Sequence, residues 1–442
     1  MTTLARKLTL WNYFALGFGT MVGTGWVVLM DDWLARGGPF GAMLGFALGG
    51  ILLLPVGYVY GQWVKRLPDA AGEAAYTAQV FPLVVSNVTG WIMFLAYFIV
   101  CPWEAVAVGK IAARLFPSLD ALELYRVGGE TVYLPRLLVG LVVTAFLGWL
   151  NYRGVRGSAT VQNWATSAVI AVFLVLVVIS AGTGSPANLQ PHFSHAPFVS
   201  ILLTLQIVPY FVTGFESVPK AAEESHPGFP PEKFFVAIAL ALLIGAGFLA
   251  LAVGAVSYVA PWQSLLGKRF ATEIAFEQGT HTAWVSRLIL GISLVALLQV
   301  FNGNFVAATR LLFAFGRRRT IPGIFGAVHD RFQTPKVAIV AVALATLLGL
   351  LLGDALLVPV SEVGAMASAF GWLAACASFC VVERTLKLRI IAAVGACVAL
   401  SLVLMKLLPG VPGHFSGAEW AALGIWLALG FVLHWRTQTA AA

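Results

Sequence analysis

Glu104 and Glu216 both fall inside long hydrophobic runs. An ionisable side chain at the centre of a bilayer costs roughly 2.5 to 3.5 kcal/mol on insertion scales, so each is a functional candidate. Glu216 lies in Tyr210-Phe-Val-Thr-Gly-Phe-Glu-Ser217, and Pro209 and Pro219 bracket that stretch. The prolines remove backbone hydrogen bonds on both sides of Gly214, so a helix there is expected to break. A carboxyl group inside the break can sense protons, balance a cationic guest or hold a gate by hydrogen bonding. A second such stretch runs from Gly17 to Gly25, with four glycines in nine positions. Each costs up to about 1 kcal/mol relative to alanine in a helix, so this helix too is expected to break. Glu104, after Cys101-Pro-Trp, either faces the same cavity or ties two helices together. Asn302 and Asn304 are weaker candidates, because amides commonly bridge helices.

A broken helix exposes peptide groups, and these define a chemistry. Amides near Thr24 and Gly25, at the start of a half-helix, suit a carboxylate. Carbonyls near Thr20 and Met21, and near Tyr210 and Thr213, suit an ammonium group. A zwitterion fits between them. Tyr210, Phe211 and Phe215 supply aromatic walls or cation–π partners, although aromatics in membrane helices also simply pack. The candidate binding set is Thr20, Met21, Gly23, Thr24, Gly25, Glu104, Tyr210, Phe211, Thr213, Gly214, Phe215, Glu216 and Asn302. The competing reading of the first stretch is close helix packing, since Gly19 and Gly23 have G-x-x-x-G spacing. Non-helical backbone at membrane depth survives only when buried in protein or lining a watery cavity, so two breaks suggest one shared internal site.

The elements that must position these residues follow from composition. With 60% apolar and 10% charged residues over 442 positions, and a mean hydropathy of +0.89, the chain has too little polar surface for a water-soluble globule. Crossing a roughly 30 Å hydrocarbon core takes about 20 residues of helix. Twelve such runs are expected, at 10–30, 40–63, 86–112, 134–151, 163–182, 198–219, 234–259, 284–315, 336–353, 359–382, 389–408 and 417–435. The two breaks then occupy the first and sixth spans, corresponding members of two groups of five, as in an inverted-repeat transporter. Arg6 and Lys7 precede an apolar stretch without a small-residue processing site, so the first span is expected to stay.

These spans put 18 of the 27 Lys and Arg residues on the terminal side, including Lys7, Arg153, Lys220, Arg310, Arg331 and Arg436, and none between 183 and 197. Both termini are therefore expected in the cytoplasm, in a multi-pass protein of the cell inner membrane. The net charge of +8 is orientation chemistry, and no soluble basic face for nucleic acid is expected. Cys101, Cys376, Cys380 and Cys397 fall inside spans, so neither a disulfide framework nor a metal site is expected.

Several segments resemble the amino acid–polyamine–organocation (APC) superfamily of transporters. They are Gly19-Thr-Met-Val-Gly-Thr-Gly-Trp26, Leu67-Pro-Asp-Ala-Ala-Gly-Glu-Ala-Ala-Tyr76 and Asn151-Tyr-Arg-Gly-Val155 with Val161-Gln-Asn163. Phe211-Val-Thr-Gly-Phe-Glu-Ser217 with Glu223-Glu-Ser-His-Pro227, and Ala307-Ala-Thr-Arg-Leu-Leu-Phe313 with Pro322 and Thr334-Pro335, complete the series. The resemblance implies one all-α transmembrane domain over 1–442, with a five-plus-five inverted repeat at 1–182 and 183–382 and two further helices at 383–442. By it, Thr24 and Gly25 match carboxylate-binding positions, Met21, Tyr210 and Thr213 match carbonyl or gate positions, and Glu216 matches a pH-sensitive gating glutamate.

The expected function is secondary active transport of an amino acid or related amine by alternating access, with membrane lipid around the chain. The coupling ion stays open between a proton and sodium, and exchange is a further mode. The alternatives are a cationic amine or polyamine transporter with Glu104 and Glu216 as counter-charges, and a channel or non-transporting sensor on the same scaffold. No enzyme activity, catalytic residue or cofactor is expected, since no His cluster, nucleophile elbow or metal spacing accompanies the spans.

Overall fold

The computed structural model describes residues 4, 6–127, 130–351, 353, 357–411 and 414–439. Residue 352, in the expected ninth span, and the side chain of Arg436 fall outside them. The described chain is helical apart from short connections and one antiparallel hairpin, Glu123–Val127 with Glu130–Tyr133. Nine helices among the described residues are long and apolar enough to cross a membrane, or ten if Pro197–Leu205 and Val208–Lys220, bent by 46°, are one span. One of the nine, Met30–Arg66, is kinked at Gly38, whose φ of 60° interrupts the helix.

The first helix, Leu10–Met21, stops at Val22 in extended conformation, and helix resumes at Gly25–Val28 and again from Met30. In the second interrupted region Val208–Val212 ends at Thr213, with φ −61° and ψ 134°, and helix resumes at Ser217–Lys220. Both interruptions fall where glycine and proline weaken the helix. The fifth expected span begins earlier than its apolar run: helix starts at Val155, after Gly154, and continues to Thr183. Within the added turns Ser158 and Gln162 bond to buried groups on neighbouring helices.

Glu232–Val259 and Ala283–Arg317 form the centre, with Leu10–Met21 lying across both and against Val155–Thr183. Small residues make the close approaches: Gly41, Gly45 and Gly49, four residues apart, meet Ser200, Thr204 and Val208 on the facing helix. The outward faces are apolar, with Leu83, Trp164, Val178, Phe198 and Ile425 exposed, as a lipid environment requires. The four cysteines form no disulfide.

The two interruptions touch. A Cβ built on Gly214 would stand 2.7 Å from the carbonyl carbon of Thr20 and 2.8 Å from the nitrogen of Met21. Its φ of 136° is also one that L side chains rarely adopt. Gly228 has a comparable φ of 84° but nothing within 4 Å. Gly228→Ala is therefore expected to cost only the backbone penalty, about 1 to 2 kcal/mol. Gly214→Ala should cost that plus about 1 to 3 kcal/mol of overpacking. Thermal unfolding of both variants in detergent tests this, and equal shifts would remove Gly214 from the contact.

Candidate functional site

At the first interruption the backbone N–H groups of Gly23, Thr24, Gly25 and Trp26 have no acceptor among the described residues. The carbonyls of Thr20 and Met21, at the end of the preceding half-helix, likewise receive no donor. In the second interruption the carbonyls of Phe211 and Thr213 are unpaired in the same sense. Gly23, Gly25, Tyr210 and Thr213 are part-exposed in surroundings that are otherwise buried. Unpaired donors and acceptors thus lie together at the first interruption, and further unpaired acceptors lie at the second, beside part-exposed residues. Each would cost about 1 to 3 kcal/mol if sealed without a partner.

The candidate residues divide into groups by what they touch. Thr20 is committed locally: its hydroxyl donates to Leu16 O at 2.6 Å and lies 3.4 Å from Ser217 Oγ across the contact. Met21 reaches Gly245. Phe211 packs over Gly25 and edge-on to Trp33, with ring centroids 4.7 Å apart, and Trp33 in turn meets Phe46 at 4.6 Å. Tyr210 meets Phe211 edge-on at 5.0 Å, and the Thr213 hydroxyl donates to Pro209 O. Phe215 is fully buried on the far side of the break, between Tyr60 and Trp372.

Glu216 is wholly buried: one carboxyl oxygen accepts from the N–H of Gly214 at 3.0 Å, and Oε1 has no partner. Glu104 comes to the first break, where a Cβ on Gly23 would lie 3.9 Å from its Oε1, and its Oε2 is also unpartnered. Two buried carboxyl groups with open hydrogen-bonding capacity thus flank the unpaired peptide groups.

Asn302 lies elsewhere. Its carbonyl oxygen accepts from Asn151 and Ser158, both at 2.9 Å, and its amide donates to Gln162 at 2.8 Å. It thereby ties three helices together behind the site. Gln162 and Thr166 continue to the carbonyl of Ala15, at 3.2 and 3.3 Å. Gln299, one helical turn before Asn302, donates to the carbonyl of Val22 at 2.7 Å. Gln299 is the residue missed by sequence reasoning: it serves a carbonyl of the break itself, and its three-residue offset from Asn302 marked the shared face.

Beneath the second break lies a buried ionic group that the charge pattern did not distinguish. Lys220 and Arg310, counted as terminal-side cations, are buried and ion-paired, because each faces a carboxylate brought in by another segment. Lys220 pairs with Glu73, which also accepts from the Tyr60 hydroxyl at 2.5 Å. The Lys220 ammonium stands 5.8 Å from the Tyr60 ring and 5.6 Å from the Tyr97 ring. Gly72, with φ 49°, lets the loop close over it, since a Cβ there would come within 3.0 Å of the lysine stem. Arg310 binds Glu224 at 2.6 Å, and Arg317 and Arg318 hold Glu223 and Asp69. The N-terminal segment adds a bridge from Leu8 to Ser225. Glu383, just past the span that ends at Val382, pairs with Arg66, and its carboxyl is held down to about 2, chiefly by the N–H of Thr385.

Apolar helices of spanning length, together with two interrupted helices in contact at their interruptions, mark a multi-pass membrane protein. The sequence model of the amino acid permease family matches residues 8–432, and the chain belongs to that family. It is similar to the methylthioribose transporter of Bacillus subtilis, 27% identical over 75% of this chain and 72% of that protein. It is similar also to the branched-chain amino acid permease BcaP of the same organism, 25% identical over 76% and 72%. A third relative there is the aspartate-proton symporter, 23% identical over 76% and 65%. Family and relatives are permeases and transporters, not enzymes.

Removing one partner of a buried ion pair leaves an uncompensated charge. Glu73→Gln or Lys220→Met alone should therefore destabilise by about 3 to 5 kcal/mol, and the double variant by much less than the sum. A double-mutant cycle on thermal stability measures the coupling, and strict additivity would show that the two do not interact.

Proposed function

We propose that the chain is a secondary transporter of an amino acid or closely related amine, working by alternating access, with the solute held between the two interruptions. The observation that carries this reading is the meeting of unpaired N–H groups at residues 23–26 with unpaired carbonyls at Thr20, Met21, Phe211 and Thr213. A zwitterion answers both sets at once, carboxylate to the amides and ammonium to the carbonyls. The relatives' names include methylthioribose, branched-chain amino acids and aspartate, so the zwitterion rests on these groups rather than on a relative. Gly23, Thr24 and Gly25 carry the carboxylate end; Tyr210 and Phe211 wall the site, whereas Phe215 packs behind the break.

Twelve spans fit this function. The kink at Gly38 divides Met30–Arg66 between the first and second, Pro197–Lys220 is the sixth, and the shorter apolar helix Lys336–Leu350 is the ninth. Segments 1–182 and 183–382 are the inverted repeats, and 383–442 adds two helices. Both termini face the cytoplasm of the inner membrane; even with Lys220 and Arg310 buried, most terminal-side cations stay exposed on connections. Glu216 acts as the protonatable gate, a role supported by its burial, its unpartnered oxygen and the similarity to a proton symporter.

A second reading, a cationic amine as substrate, is favoured by the open carboxyl oxygens of Glu104 and Glu216. Uptake into proteoliposomes separates the two. Zwitterionic amino acids are expected to compete and amines without a carboxylate to fail; the reverse pattern would establish the second reading. Saturation and trans-stimulation are expected, and neither would appear for a channel. Glu216→Gln is expected to flatten the pH profile of uptake while the protein still assembles. An unchanged profile would take Glu216 out of the gate.

A further inference from the structure

At the turn between helices Leu134–Arg153 and Val155–Thr183 lies a cavity of about 470 Å³. Its lining includes Lys7, Arg153, Arg156, Arg331, Trp149 and Phe332. Four cations from three separate segments thus converge on one concavity. Among the described residues none of the four forms an ion pair, whereas Lys220, Arg310, Arg317 and Arg318 on the same side of the molecule are all paired with carboxylates. Asp330 adjoins Arg331 in sequence but does not pair with it.

Aromatic rings hold two of the cations. The Arg153 guanidinium lies 5.3 Å from the Trp149 ring and 5.7 Å from the Phe332 ring, and Arg331 lies 5.5 Å from Phe332. The cavity also takes in Gly154 and Gly157 at the beginning of a 29-residue helix, whose dipole adds to the positive potential. Leading to this point is an exposed apolar stripe along one helix face, Leu138, Leu141, Val142, Phe146 and Trp149. The stripe ends at a tryptophan one turn before Arg153, the order of groups met on passing from hydrocarbon to headgroup region.

We propose that this cavity binds the phosphate headgroup of an anionic phospholipid, with an acyl chain lying along the stripe. A basic pocket between helices, fed by an apolar face, holds both ends of such a molecule. A soluble phosphate uses the cations but gains nothing from the stripe. A neutral phospholipid uses the stripe but leaves the net charge of the cavity unanswered.

The test uses the full chain purified in a non-ionic detergent and titrated with dioleoyl-phosphatidylglycerol, dioleoyl-phosphatidylcholine or sodium phosphate. Retained lipid is counted by native mass spectrometry, with thermal shift as a second readout. Phosphatidylglycerol is expected to bind and stabilise, and phosphatidylcholine to do neither. Each arginine removed should weaken phosphatidylglycerol roughly fivefold, so the Arg153→Ala/Arg156→Ala/Arg331→Ala variant should lose about 100-fold. The corresponding triple lysine variant should restore most of the binding. If the triple alanine variant does not fold, Arg156→Gln, at an exposed position without a described partner, should still show the single roughly fivefold loss. Equal phosphatidylglycerol affinity in Arg156→Gln and the unaltered chain would overturn the site. Displacement of the lipid by an equal concentration of sodium phosphate would assign the cavity to free phosphate instead.

Discussion

A peptide group that loses its helical partner inside hydrocarbon must find another or be rebuilt out of the chain. In this protein the condition is met by placing two helix interruptions against each other. Gly214 rests on the Thr20–Met21 backbone, and Gly303 supports Thr20 from the other side. What the contact does not satisfy is left at one accessible surface, where a polar guest can satisfy it. Behind that surface Gln299 serves the carbonyl of Val22. The polar network through Asn302, Gln162 and Thr166 ties the first helix to the two helices behind it.

The segment after the second interruption, residues 217–226, collects a concentrated set of ionic contacts. Glu73 holds Lys220, Arg310 holds Glu224, Arg317 holds Glu223, and the strand-like N-terminal segment bridges to Ser225. Tyr13 adds its hydroxyl to the carbonyl of Ala221 at 2.9 Å. These contacts seal one side of the site with charges that are costly to part when buried. The opposite side is closed mainly by rings, Phe211 with Trp33 and Phe46. Aromatic contacts can slide and re-form with little desolvation, whereas a buried ion pair exchanges in discrete steps. The two sides of the site are thus closed by different physics.

The outer surface obeys its own constraint. Large apolar side chains point outward along most helices, and most basic residues are exposed. Near Trp149 and Arg153 both features meet at a concavity, so the surface there is shaped as well as patterned.

Composition and local chemistry were enough to read the membrane environment, the apolar helices and the positions of both interruptions, because hydropathy, glycine and proline act over a few residues. The family resemblance lay in five short segments for the same reason. The start of the fifth helix was not legible, since 156–163 carries several polar residues, and two of them, Ser158 and Gln162, find partners more than a hundred residues away. The candidate site was legible at Gly23, Thr24, Gly25, Phe211, Thr213, Gly214 and Glu216, which lie in or beside the breaks. Asn302 could not be told from Gln299 by type or burial; only packing decides that the first ties helices together and the second caps Val22. Nor could Lys220 and Arg310 be recognised as buried, because a cation near a span end looks the same whether it meets water or a carboxylate from a distant loop. Sequence alone determined where the backbone would be interrupted; the tertiary structure decided which side chains and which second break would answer it, since long-range partners leave no trace in local spacing.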